Sequence, residues 1–537
     1  MKNLSKYSLM MIALIFLALV SVLYGLSHII HEGMNRDVIS AYESLPEDIS
    51  IGPALGYINE DYTLDDNFSS NLPLIIIETD GELPDYKMHN YVTGGVSYND
   101  VEPWTTGSMS IIYNDGELNY LKDNAKWESS VKIKRRGQTT YFYEKPQYSI
   151  RLLEADKITD REMNLFNMGE DNSWAIIGSV VDKSLIRNYV AYSIASEIDG
   201  NTLDTKFCEV AVKEGDQYIY QGLYLFAETV SRSENRINIK NYNGEDKYSG
   251  YILRRDRYTP FDKIIDNYLR TELDYDTYIG IKYPTDEELN DGIIQYITDD
   301  FNMIEETLYS DDMNLKKAYK EYIDVDSFVD YFLINEYFGN YDAGLHSTYM
   351  YKDYGDPLMI GPVWDFDQAM NNYYAEEQKT QHMAMQTRAI YEELVKDDRF
   401  LNLLMERYIS LRRTTLSDDH LTETIDNAAA YIDSARQREW YRWYDSYFNE
   451  DYNVTSYKLN DIVKDGILVS RYNDDYDQEI LIIKTYLRKH AADIPENIKY
   501  LKEDAEFTTD IKGYNVLVLF GVLILFAVPS IILSKKG

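Results

Sequence analysis

The chain has 537 residues, 45% of them hydrophobic, and a formal net charge of −38 at pH 7. That length and apolar content exclude a disordered protein and exceed what one ordinary compact domain needs. The charge argues against nucleic acid or an anionic lipid surface as partner, because both are bound through positive charge; it suits metal ions, basic protein segments or a plainly solvated surface.

In chain order, the first element is an apolar run at residues 7–30, YSLMMIALIFLALVSVLYGLSHII, preceded by Lys2 and Lys6. It is longer than a signal-peptide core and lacks a small-x-small cleavage site, so residues 1–30 read as an uncleaved membrane anchor. A second run, residues 514–533, is long enough to span a bilayer core of roughly 30 Å and precedes Lys535 and Lys536; residues 513–537 read as a C-terminal transmembrane helix with a basic tail. The lysines flank both runs and all 91 acids lie between them. The positive-inside rule then predicts cytoplasmic termini and a main domain outside the cell membrane. Residues 31–70 are polar and acidic and read as a stalk.

From Leu72 the texture becomes strand-like. LPLIIIETD, GSMSIIYND, SSVKIKRRG and QYSIRLLE are short alternating or apolar runs bounded by turn residues. DKSLIRNYVAYSIASEI, residues 182–198, has helical spacing with Asp182 as its N-cap. FCEVAVK and YIYQGLYLFAE predict a hairpin around Glu214-Gly215-Asp216, and SGYILRR predicts another strand. The one cysteine, Cys208, lies in that hairpin, so an intramolecular disulfide and a Cys-rich zinc site are both excluded and an inert buried thiol is expected. From about Asp286 the pattern turns helical, interrupted by the short strands STYMYKD and PLMIGPVWDFD. Residues 71–283 thus form a β-rich N-lobe, and residues 284–512 a helical C-lobe.

The stretch NYDAGLHSTYMYKDYGDPLMIGPVWDFDQAMNN, residues 340–372, places Asp342 after a helix and Asp365 and Asp367 at the end of a hairpin. Carboxylates at the ends of apolar segments need a partner, which is a cation, a substrate proton or a neighbouring Arg. The order helix, Asp, hairpin, Asp is the order of phosphoryl-transfer sites in protein kinases. Structural ion pairs account for such a pattern more often, and no G-x-G-x-x-G loop, H-R-D, D-F-G or Walker A motif is present.

Four stretches together resemble the CotH kinase family, named for a spore coat protein. They are RRGQTTYFYEKPQYSIRL, DKSLIRNYVAYSIASEI, YQGLYLFAETV and NYDAG…YMYK…WDFD, in that order. The resemblance implies an α+β, atypical protein-kinase-like two-lobed domain, here expected between two transmembrane helices. It implies an atypical protein kinase that uses ATP with Mg²⁺ or Mn²⁺; with the outward orientation and the absence of disulfides, which fit a bacterial cell surface, the expected acceptor is Ser, Thr or Tyr of a surface or coat protein. By the same resemblance Asp342 matches the catalytic Asp and Asp365 the metal-binding Asp, with Asp367 as a second ligand. Arg136, Lys145, Arg151 and Arg187 become candidates for nucleotide phosphates, and Glu228 for a hinge position near the adenine; for each of them, an ordinary structural pairing or a solvated strand end is the competing reading. Two other functions compete: a non-catalytic surface or coat-assembly protein that keeps the fold, favoured by the acidic charge and 51 tyrosines, and a glycan hydrolase using paired carboxylates.

Overall fold

The computed structural model describes residues 54–83, 85, 87–89, 96–99, 103–138, 140–178, 180–200, 202–275, 278–372, 382–448, 462–464, 467–469 and 474–509. Seven strands close a barrel: β1 (Leu74–Thr79), β2 (Thr105–Ile112), β3 (Trp127–Arg136), β4 (Gln147–Leu153), β5 (Ser173–Ile177), β6 (Thr205–Glu214) and β7 (Gln217–Glu228). Their order is β5-β7-β6-β1-β2-β3-β4, closing from β4 to β5. The β6–β1 pair is parallel; the others are antiparallel. The period-2 pattern explains the barrel. Ile75 and Ile77, Val131 and Ile133, Ile150 and Leu152, Trp174 and Ile176, and Val210 and Phe226 fill its interior. Cys208 is among them, fully buried, and burial pushes its thiol well up, as an inert core thiol should be.

Helix α1 (Arg187–Ile198) shares one buried core with β5, β6 and β7: Val190, Ile194 and Ile198 belong to the cluster that holds Ala175, Phe207 and Leu225, and the Tyr189 ring packs on Phe207 at 4.5 Å. Its N-cap is Ile186, four residues later than the predicted Asp182. Asp182 bends the chain back on itself: its carboxylate accepts from the N–H groups of Ser184 at 3.0 Å and Arg187 at 3.0 Å, and Leu185 takes a φ of 65°.

A second sheet follows, ordered β9-β10-β8-β11-β12: β8 (Tyr251–Asp256), β9 (Lys263–Ile265), β10 (Tyr278–Tyr283), β11 (Thr348–Lys352) and β12 (Met359–Ile360). It therefore joins strands from both sides of the expected lobe boundary. Between β10 and β11 lie helices α2 (Asp291–Leu308) and α3 (Val325–Phe338). Helix α3 is apolar almost all round and almost wholly buried, as a core helix must be. Helices α4 (Asp398–Leu411), α5 (Asp418–Tyr431), α6 (Asp433–Arg442) and α7 (Tyr476–Glu503) are the longer helices that follow among the described residues.

Two expectations change. Residues 54–70, assigned to a stalk, pack on the barrel instead: Ile58, Leu64 and Phe68 bury against Leu74, Ala211 and Tyr220. The two flanking transmembrane helices are not upheld: the described residues form a mixed α+β domain. Among the described residues no helix is long and apolar enough to cross a membrane. The longest, α7, is amphipathic, with Asp477, Glu479, Lys484, Arg488 and Lys489 along it. The runs at 7–30 and 514–533 lie outside the described residues.

Candidate functional site

A cleft of about 1390 Å³ runs between the outer face of β3 and β4 and the near end of the second sheet. Because the side chains of β3 alternate, Val131 and Ile133 point into the barrel while Lys132, Lys134 and Arg136 line the cleft. Asp342, Asp365 and Asp367 line it as well, so the carboxylates singled out in the sequence converge.

Helix α3 presents Asp342. It ends at Gly339 in the left-handed region, φ 66°, which turns the chain sharply. Asn340 then donates to the Asn335 carboxamide oxygen at 3.1 Å and to the Trp364 carbonyl at 3.1 Å, tying the loop to the second carboxylate segment. Arg388 braces the same loop by donating to the carbonyls of Ala343 and Tyr341.

Asp365 stands directly after Trp364 with φ 65°, a strained setting that Asp tolerates better than most residues. Helix α1 holds it there. The Asp365 N–H donates to the Tyr192 hydroxyl at 3.1 Å, and the Phe366 N–H donates to the Asn188 carboxamide at 2.7 Å. Phe366 is fully buried edge-on against Tyr192 and Phe338. The strand reading of PLMIGPVWDFD holds only to Ile360; Trp364-Asp365-Phe366-Asp367 lies outside any strand, in irregular chain clamped by α1.

Burial raises the Asp365 carboxyl to about 6; Asp342 and Asp256 add to the rise, and Arg136 and Arg257 oppose it. Burial in turn lowers Arg136, against the pull of Tyr349 and Asp365, and its guanidinium lies 5.1 Å from the Trp364 ring centre. Mutually repelling carboxylates on an open cleft fit a divalent cation, which relieves them. Among the described residues no group of three or more His, Cys, Asp or Glu forms a complete metal cage. Mg²⁺ needs none, because one or two carboxylates with phosphate oxygens and water suffice.

The remaining candidates separate. Arg151 lines the cleft and reaches Asp160 at 3.7 Å. Lys145 does not: it is fully buried, donating to Glu439 at 2.7 Å and to the Leu223 carbonyl at 2.7 Å. Arg187 is also fully buried, on Asp182 at 2.5 Å and the Ala369 carbonyl at 3.1 Å. Glu228, the last residue of β7, is fully buried, accepting from the Asp204 N–H at 2.9 Å with Arg236 at 3.7 Å, and it does not line the cleft. The sequence reading missed Asn188, Tyr192, Arg254, Asp256 and Arg257, all at the cleft. Asn188 adjoins Arg187 in SLIRN, and the helix turns Asn188 outward and Arg187 inward. The β8 residues were legible as the polar end of SGYILRRDR.

A barrel packed on a helical body, with carboxylates from a helix–loop and a hairpin end sharing one cleft, is an α+β arrangement consistent with a kinase-like domain. A family model described as CotH kinase protein matches residues 133–492, and the chain belongs to that family. No curated protein matches the sequence.

Proposed function

We propose that the chain is a CotH-type protein kinase that transfers the γ-phosphoryl group of ATP to a Ser, Thr or Tyr hydroxyl of a surface or coat protein. The observation that carries the reading is the raised Asp365 carboxyl facing Asp342 across a cleft bordered by Arg136. Asp342 orients the acceptor hydroxyl and takes its proton as the new O–P bond forms and the bond to ADP breaks. Asp365, with Asp367, would hold Mg²⁺ or Mn²⁺ alongside the nucleotide phosphates; the ion supplies charge neutralisation at the transferring group. Arg136 and Arg151 meet phosphate oxygens, a contact that suits the guanidinium fork. Asn188 and Tyr192 keep the Asp365 backbone in place.

The test is ATP turnover and label transfer to protein by the full chain, beside Asp342→Asn. Turnover should fall by two orders of magnitude or more. Unchanged turnover would remove Asp342 from this role. No turnover in the parent chain, with partner capture indifferent to Asp342 and Asp365, would favour an assembly protein instead.

A further inference from the structure

Strand β11 starts at the cleft and leads away from it, ending at Lys352. The turn that follows carries Tyr354, which is 56% exposed. Its ring stacks on Tyr248, itself 50% exposed, with centroids 4.8 Å apart and planes 12° from parallel. Tyr296 of α2 closes against both rings, at 5.2 Å and 6.2 Å. Beside them lies a groove of about 690 Å³ between residues 242–248 and α2. Glu245, Asp246, Asp299 and Asp300 line it, opposed by Lys247. Lys352 and the Tyr251 hydroxyl engage Asp300. Glu245, Asp246 and Asp299 form no ion pair with another described residue.

Half-exposed stacked rings mark a contact surface, because the fold leaves large aromatic faces in water. Ring faces and carboxylates attract the same ligand, a side-chain cation. A second copy of this chain is a poor occupant, since each brings a net charge of −38. We propose that this groove docks a lysine- or arginine-bearing segment of the polypeptide that the cleft phosphorylates. The proposal rests on the kinase reading for the fate of that polypeptide, but not for its binding. Asn241 lines the cleft and Tyr242 lines the groove, so the two adjoin along the chain.

The test is fluorescence anisotropy of a labelled peptide of alternating arginine and serine, titrated with the full chain. Its glutamine-for-arginine counterpart and a chitin hexasaccharide serve as competitors. The arginine peptide should bind saturably and be displaced by salt. Binding should weaken at least about fivefold in Tyr354→Ala and again in Glu245→Gln/Asp246→Asn, both surface changes checked for unaltered melting. It should be unchanged in Asp342→Asn. Equal affinity in the parent and Tyr354→Ala would overturn the proposal. Displacement by the neutral peptide or the sugar would overturn it too, reassigning the groove to apolar or carbohydrate ligands. Intact docking without phosphoryl transfer would uphold the groove and overturn only the kinase reading.

Discussion

Replacing Asp365 by Asn removes a charge that the folded chain holds against its preference. The carboxyl rises from 3.8 to about 6, chiefly through burial; at ~1.4 kcal/mol per tenfold change in proton affinity that is about 3 kcal/mol. Asp342 shares the same field and water reaches the cleft, so about 1–3 kcal/mol is expected from one substitution. The sign follows from proton linkage. A carboxyl harder to ionise folded than unfolded keeps the extra proton on the folded chain between pH 3.8 and about 6. Its contribution to stability is full below that window and lost as pH rises through it. With divalent cations chelated, Asp365→Asn should therefore be more stable than the parent at pH 7.5, and its advantage should shrink as pH falls from 6 toward 4. Urea denaturation of the full chain, followed by circular dichroism, measures it. A variant less stable than the parent at pH 7.5 would refute the reasoning, because it would mean that the carboxylate gains more from Arg136 than it loses to burial and to Asp342.

Lys145→Met should destabilise the protein by about 3–5 kcal/mol, because it leaves Glu439 charged and buried. Adding Glu439→Gln should restore part of that loss in the same denaturation assay. Gly222→Ala should be strongly destabilising. The glycine has φ 119°, and a Cβ there would stand 2.0 Å from the Glu439 carboxylate that accepts the Leu223 N–H; a lowered urea midpoint with an unchanged slope checks it.

Six of the seven barrel strands were legible because they carry period-2 or apolar patterns plainly, Val131 and Ile133 alternating with Lys132 and Lys134; β5 and the closure into a barrel were not. The convergence of Asp342 with Asp365 was legible from the helix–loop–hairpin order. Which cations reach the cleft was not. Lys145 and Arg187 are charged residues in half-apolar segments, and what buries them lies far along the chain. Glu439 is 294 residues from Lys145, and Glu479 approaches Arg187 from α7 at 3.6 Å. Local spacing holds no record of such partners. Glu228 was misplaced for a different reason: its partner Arg236 follows only eight residues later, at 3.7 Å, but the loop that brings it back onto the strand end leaves no periodic signal. The left-handed backbone at Asp365 was hidden too, because the tolerance of Asp for that conformation is only a preference.

The most direct measurement of the central claim is calorimetric titration of ATP into the full chain with Mg²⁺ and with chelator, beside Asp365→Ala. The account predicts saturable binding that requires Mg²⁺, weakens as pH falls below 6 and is lost in Asp365→Ala. ATP binding that is indifferent to Mg²⁺ and to Asp365, or no binding at all, would contradict it.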